Sequence, residues 1–131
     1  MVTDPISDLI IQIKNAQAAK KEYVCVPFSQ FKFAIANKLK ERGYIGKVSK
    51  KGKKIHKTIE IELKYNENGT PRISGVTRVS KPGRRIYVNA ASIRKVKYGK
   101  GSLIISTPKG VLTDNEAKRE NTGGETLFKI W

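Results

Sequence analysis

The chain has one cysteine, Cys25, and one histidine, His56. A lone cysteine excludes an intramolecular disulfide framework and a cysteine-based zinc site. It lies between Val24 and Val26, where it reads as a small buried hydrophobe rather than a nucleophile. His56 stands among lysines with no second histidine or carboxylate at ligand spacing, so it reads as a surface residue and no metal is expected. No apolar run approaches the roughly 20 residues of a membrane-spanning helix. The first twenty residues carry an amphipathic helical pattern that includes two aspartates, not a leader. These absences together point to a soluble protein of a reducing compartment. Catalytic groups are missing too: there is no nucleophile–base pair and no carboxylate dyad. Gly99-Lys100-Gly101-Ser102 is superficially like a phosphate-binding loop, but Arg94 occupies the first glycine position of that motif and Gly101 its final hydroxyl position. Neither an enzyme nor a cofactor is expected, and no internal repeat or low-complexity tract appears.

The middle of the chain lacks negative charge altogether. Lys and Arg number 27 against 11 Asp and Glu, a net charge of +16. The 46 residues from Asn68 to Thr113 hold 10 basic residues and no acid, whereas Asp114–Trp131 is slightly acidic. A basic excess of this size predicts a polyanionic partner more than it predicts a fold. At 131 residues the chain suits one domain, or two small ones.

Periodicity sketches the elements. Asp4-Pro5 starts a helix in which Ile6, Leu9, Ile10, Ile13 and Ala16 recur at helical spacing. Tyr23–Val26 reads as a strand ended by Pro27. Ser29 caps a second helix, with Phe28 and Phe33 placed as a hydrophobic staple. Phe31, Ala34, Ile35 and Leu39 form its expected buried face, and Gly43 its stop. Two strands follow, Tyr44–Val48 and one in which Ile59, Ile61, Leu63 and Tyr65 alternate with Thr58, Glu60, Glu62 and Lys64. The hairpin joining them carries Lys47, Lys50, Lys51, Lys53, Lys54 and Lys57, either to reach phosphates or as a solubilising tip.

Asn66-Glu67-Asn68-Gly69 is the best boundary, dividing an αβαββ segment (1–65) from a β-rich segment with short helices (70–131). The expected class is therefore α/β (α+β) with two small subdomains. In the second half, strands are expected over Arg72–Thr77, Arg84–Val88 and Leu103–Ser106, with turns at Lys81-Pro82-Gly83 and Tyr98–Gly101. A short helix is expected near Ala90–Val96. Thr113-Asp114-Asn115-Glu116 reads as a capping box, and Glu125–Trp131 closes the chain as an alternating segment.

Two places look able to touch a polyanion. In Ser106-Thr107-Pro108-Lys109-Gly110, an apolar strand opens into short hydroxyls, a turn and one positive charge. Such a corner can approach a sugar–phosphate backbone more closely than long side chains can. In Ser80-Lys81-Pro82-Gly83-Arg84-Arg85-Ile86-Tyr87, a tight turn carries two arginines suited to phosphates and an aromatic ring. Tyr87 could stack on an unpaired base or bond a 2′-hydroxyl, or could lie half-buried on the sheet. The basic groups sit on strands and turns, which suits RNA better than the major groove of DNA. A nucleoid protein would need a recognition helix, wing or dimer interface. An RNA-modifying enzyme would need a cofactor loop or acid–base residues.

At this point the chain resembles the bacterial small-ribosomal-subunit protein eight family over its full length. Asp4-Pro5-Ile6, Asp8, Asn15-Ala16, Val26-Pro27 and Gly43-Tyr44-Ile45 match its first half. Ser80-Lys81-Pro82-Gly83, Ile105-Ser106-Thr107, Lys109-Gly110-Val111, Thr113-Asp114, Glu116-Ala117, Gly123-Gly124-Glu125 and Trp131 match its second. The resemblance implies a primary ribosomal RNA-binding protein that takes a helix of the central domain of small-subunit RNA. It implies nucleation of platform assembly, packing against neighbouring ribosomal proteins and, in some bacteria, repression of its own messenger RNA. It implies an RNA-binding corner at Ser106, Thr107, Lys109 and Gly110, aided by Tyr87, Gly124 and Glu125. A bacterial, cytoplasmic ribosome is the implied location. One departure stands out: Pro108 replaces a serine usual in the family, removing a hydroxyl and an N–H.

Overall fold

The computed structural model describes residues 4–52, 57–93 and 101–131. Lys53, Lys54, His56, the Arg94–Val96 end of the expected helix and most of the Tyr98–Gly101 turn lie outside the described residues. The fold is mixed α/β with two antiparallel sheets, and the chain divides into two units, Pro5–Ile73 and Ser74–Trp131 with Asp4. No described helix is long and apolar enough to cross a membrane.

In the first unit, helix α1 (Pro5–Ala18) buries Ile6, Leu9, Ile10, Ile13 and Ala16, the stripe read from spacing. Helix α2 (Gln30–Glu41) begins at Ser29, whose hydroxyl accepts from Lys32 N at 3.1 Å. The Phe28 and Phe33 rings meet with centroids 5.8 Å apart, which completes the staple. Its end is a Schellman motif: Gly43 N–H donates to Lys40 O and Tyr44 N–H to Leu39 O, with Gly43 at φ +82°. Phe31 departs from expectation. It is exposed, and Ile35, Ala36 and Leu39 make the buried face. Phe31 lies most of a quarter turn from the centre of that face, so Ala36 takes the place assigned to it.

The three-stranded sheet has the order β1-β3-β2, with β1 Tyr23–Pro27, β2 Ile45–Lys51 and β3 Thr58–Leu63. Ile59, Ile61 and Leu63 are buried, in the alternation read from the sequence. Cys25 requires a correction: it is exposed. Strand β1 pairs Val24 with Ile61 and Val26 with Ile59, so the two valines share the inward face. A period of two then turns the residue between them outward, opposite Glu60. Replacing Cys25 with serine is accordingly expected to change stability by less than about 0.5 kcal/mol. A thiol reagent should modify the folded wild type without denaturant. A shift in denaturation midpoint equivalent to several times that energy would place the thiol inside.

In the second unit, β8 (Gly124–Ile130) is the central strand. It pairs along one edge with β6 (Ser102–Thr107), which in turn pairs with β7 (Gly110–Thr113). Along its other edge lie β4 (Val76–Arg78) and then β5 (Tyr87–Val88). Strand β4 is shorter than expected, although Gly75 ahead of it still exchanges backbone hydrogen bonds of 3.1 and 3.0 Å with Trp131; a Cβ on Gly75 would stand 2.6 Å from the Trp131 indole. Strand β5 is short because the chain regains β8 only at Ile86, whose carbonyl accepts from Thr126 N at 2.9 Å. Ile93, Leu103, Ile105 and Ala117 form the core beneath helix α3 (Asp114–Arg119). That helix starts with the capping box: Thr113 and Glu116 each accept from the other's backbone N–H. A 3-10 turn covers Ala90–Ser92. Arg78 donates to both carboxylate oxygens of Asp4, at 2.9 and 3.1 Å, and to Leu127 O, holding the start of the described chain against this unit.

Candidate nucleic-acid interface

The polar corner is a property of how β6 ends. Register places Ser106 opposite Glu125 on β8 and Val111 on β7, and Glu125 opposite Tyr87 on β5. Residues directly opposite in antiparallel pairs project from the same face. Tyr87, Glu125 and Ser106 therefore form one row across three strands, about 10 Å from end to end. Tyr87 is 68% exposed, which overturns the reading of a ring half-buried on the sheet. The Ser106 hydroxyl has no hydrogen-bond partner among the described residues.

Two glycines make this row possible. A Cβ on Gly124 would stand 2.0 Å from the Ser106 carbonyl oxygen, and one on Gly123 would stand 2.2 Å from the Val88 oxygen. Real Cβ atoms cannot occupy such positions, so β8 enters between β5 and β6 only because both side chains are hydrogen. The resemblance implies Gly124 as part of the site and does not include Gly123; in the structure both glycines have a supporting task in its backbone.

Beyond Ser106 the turn is self-closed. Thr107 Oγ1 donates to Gly110 O at 2.7 Å and accepts from Lys109 N at 3.1 Å. Gly110 adopts φ +110°, and Pro108 with Lys109 forms the tip. The only hydroxyl hydrogen of Thr107 is committed to the turn, leaving acceptor capacity for an outside partner. Lys109 folds back on the end of α3, donating to Glu120 O at 3.2 Å and lying 3.4 Å from its carboxylate. Nothing in the sequence spacing of Lys109 and Glu120 announced this pair. The Thr107 bonds did have a signal, a hydroxyl residue ahead of a Pro-Lys-Gly turn.

The second basic element is an excursion from the edge of β8. Ser80 N–H donates to Thr126 O, the chain leaves the sheet, and Lys81 and Arg84 exchange two backbone hydrogen bonds of 2.9 Å around Pro82-Gly83. Ser80 needs a correction as a contact residue. It is 0% exposed, its hydroxyl donating to Ile86 O at 3.0 Å and accepting from Ile86 N at 2.9 Å. It clasps the base of the excursion and carries the cations outward. Lys81, Arg84 and Arg85 are exposed, and Arg85 pairs with Glu125 at 3.0 Å. Glu125 thereby anchors Arg85 beside the Tyr87–Ser106 row.

In the first unit, the described part of the lysine-rich hairpin surrounds one ring. Lys50 and Lys57 approach the Phe28 centroid at 5.1 and 5.9 Å, and Lys51 pairs with Glu60 at 3.3 Å. Among the described residues no group of three or more His, Cys, Asp or Glu side chains could hold a metal ion.

The class is thus a small, strongly basic α/β protein of two antiparallel sheets, whose exposed polar groups sit on turns and strand ends. The sequence profile described as Ribosomal protein S8 matches residues 4–131. Three relatives, each named small ribosomal subunit protein uS8, are similar along essentially their whole length. That of Persephonella marina is 50% identical, with 100% of both chains covered. That of Mycoplasmopsis synoviae is 48% identical and that of Halothermothrix orenii 44%, each covering 99% of this chain and 98% of the relative. The chain belongs to the ribosomal protein S8 family, whose members are structural rather than enzymatic.

Proposed function

We propose that the chain is a structural constituent of the small ribosomal subunit that binds small-subunit ribosomal RNA directly. The second segment, 70–131, is the RNA-binding domain and the first, 1–65, supports it through its basic hairpin. The observation that carries this reading is the row Tyr87–Glu125–Ser106 continued by the Thr107–Gly110 turn. An exposed ring, an unpartnered hydroxyl and a turn with fixed backbone suit folded RNA, which offers 2′-hydroxyls, phosphates and unstacked bases at close range. Lys81, Arg84 and the described hairpin lysines supply attraction along the phosphates without discriminating among sequences. The finer reading is a primary binder of a helix in the central domain, whose docking starts platform assembly and gives neighbouring ribosomal proteins a surface. Its location is the bacterial cytoplasmic ribosome, and repression of its own messenger RNA would use the same face.

The test is titration with a small-subunit ribosomal RNA fragment and with duplex DNA of equal length across several salt concentrations. Preference for the RNA should survive high salt. Ser106→Ala should weaken RNA binding about five-fold, the equivalent of roughly 1 kcal/mol for one hydrogen bond, and leave DNA binding unchanged. A slope set by counterion release alone, with no preference, would sink the proposal.

A further inference from the structure

The proposal above leaves one contact at the corner without a task. Lys109, the only cation of the β6–β7 turn, is held on Glu120 by a hydrogen bond to its carbonyl and an ion pair to its carboxylate. We propose that Glu120 is an autoinhibitory residue of the corner: it holds Lys109, so that RNA docked on Ser106 and the Thr107 turn must displace its carboxylate before gaining that lysine. This rests on the reading of the corner as an RNA interface and adds to it a contact that lowers RNA affinity until it is exchanged.

The geometry supports an exchangeable latch. Side chains of Lys109 and Glu120 are 54% and 52% exposed, and pairs in such surroundings contribute little, from nothing to about 1 kcal/mol. Glu120 is nevertheless well placed, because it caps the C-terminal end of α3 with its N–H directed at Glu116 O and Lys118 O. Thr113 ends β7 and starts that helix, so strand, turn and helix return the chain to the Lys109 tip. The turn backbone is tied by Thr107, which leaves the flexible lysine stem as the part that must move. Its ammonium, a point charge with three donors, can change acceptors by rotation.

Two anions then compete for one cation. A polyanion drifting along the surface trades one ion pair for another at Lys109 and gains little. RNA already seated on Ser106 and the Thr107 turn presents a phosphate at high local concentration and displaces the carboxylate.

The experiment uses the full chain with two probes, a small-subunit ribosomal RNA fragment and an RNA duplex of unrelated sequence and equal length. Glu120→Gln should tighten the ribosomal fragment roughly three- to five-fold and the unrelated duplex by less, because the docked fragment is the probe that must break the Lys109–Glu120 pair. The salt slope for that duplex should steepen by about one unit as Lys109 is freed. In a Lys109→Ala background the same substitution should give no gain. An equal gain in that background would reduce Glu120 to a bulk charge, and no gain in either background would end the proposal. Failure of the parent reading looks different: the wild type would then fail to prefer the ribosomal fragment at all. Glu120→Ser supplies a second neutral side chain, with the same expectations.

Discussion

Gly124→Ala is expected to destabilise the protein by roughly 3 kcal/mol and to abolish RNA docking at the corner. The added methyl would stand 2.0 Å from Ser106 O, 2.9 Å from Ser106 C and 3.0 Å from Thr107 Cα. Those neighbours are backbone, so no rotamer change relieves the overlap. Strand β8 must move away from β6 at its first residues, and Ser106 and Thr107 move with the separation. Two other glycines serve as controls. Gly110 has open space around a hypothetical Cβ but sits at φ +110°, so Gly110→Ala should cost about 1–2 kcal/mol through backbone strain. Gly83 has open space and no such φ, and alanine there should be nearly neutral. Denaturant midpoints rank the three. Hydrogen exchange should show the Gly124 damage concentrated at Ser106, Thr107 and their β8 partners. A Gly124→Ala protein as stable as wild type would remove the close approach from the account.

This ranking shows what the residues alone disclose. Gly123-Gly124 is legible in the sequence as the end of the last short helical region, because glycine pairs punctuate local structure. The reason for them is not, since it depends on Val88 and Ser106, distant in sequence but adjacent across β8. Local signals read well throughout: the Ser29 cap, the Phe28–Phe33 staple, the Gly43 stop and the Thr113–Glu116 box each need only a few consecutive residues. Readings that needed a partner elsewhere failed or were silent. Cys25 was placed inside because its neighbours are valines, whereas the β1–β3 register sends it out. Ser80, ahead of a basic turn, reads as a contact, yet its hydroxyl is spent on Ile86, six residues further on. The Asp4–Arg78 pair, 74 positions apart, left no trace in the pattern.

Charge followed the same division. The acid-free middle of the chain points to a polyanionic partner but gives no sign of how individual cations are held. Arg85 and Lys109 are each matched to a carboxylate from the mildly acidic last segment, Glu125 and Glu120. Lys81 and Arg84 have no such match among the described residues. The net charge of +16 therefore overstates what the corner itself presents. In the proposed interface, attraction at a distance comes from the whole chain and close fit from uncharged groups.

Among side chains of the corner, Thr107 is where that distinction has its largest expected effect on binding. Thr107→Val is nearly isosteric but loses both the bond from Lys109 N–H and the bond to Gly110 O. Each contributes on the order of 1 kcal/mol, and their loss loosens a turn that must be rigid to dock. RNA affinity should fall about thirty-fold, the equivalent of roughly 2 kcal/mol, with the salt slope unchanged because no charge is removed. Thr107→Ser keeps the hydroxyl and should retain most of the affinity. Ser106→Ala, which leaves the turn intact, should cost less than Thr107→Val. Should valine bind as tightly as threonine, the Thr107 hydroxyl would have no part in RNA affinity and the rigid-turn argument would fall. Should serine fail with valine, hydroxyl and methyl group would both be required, and the hydroxyl bonds alone would not account for the affinity.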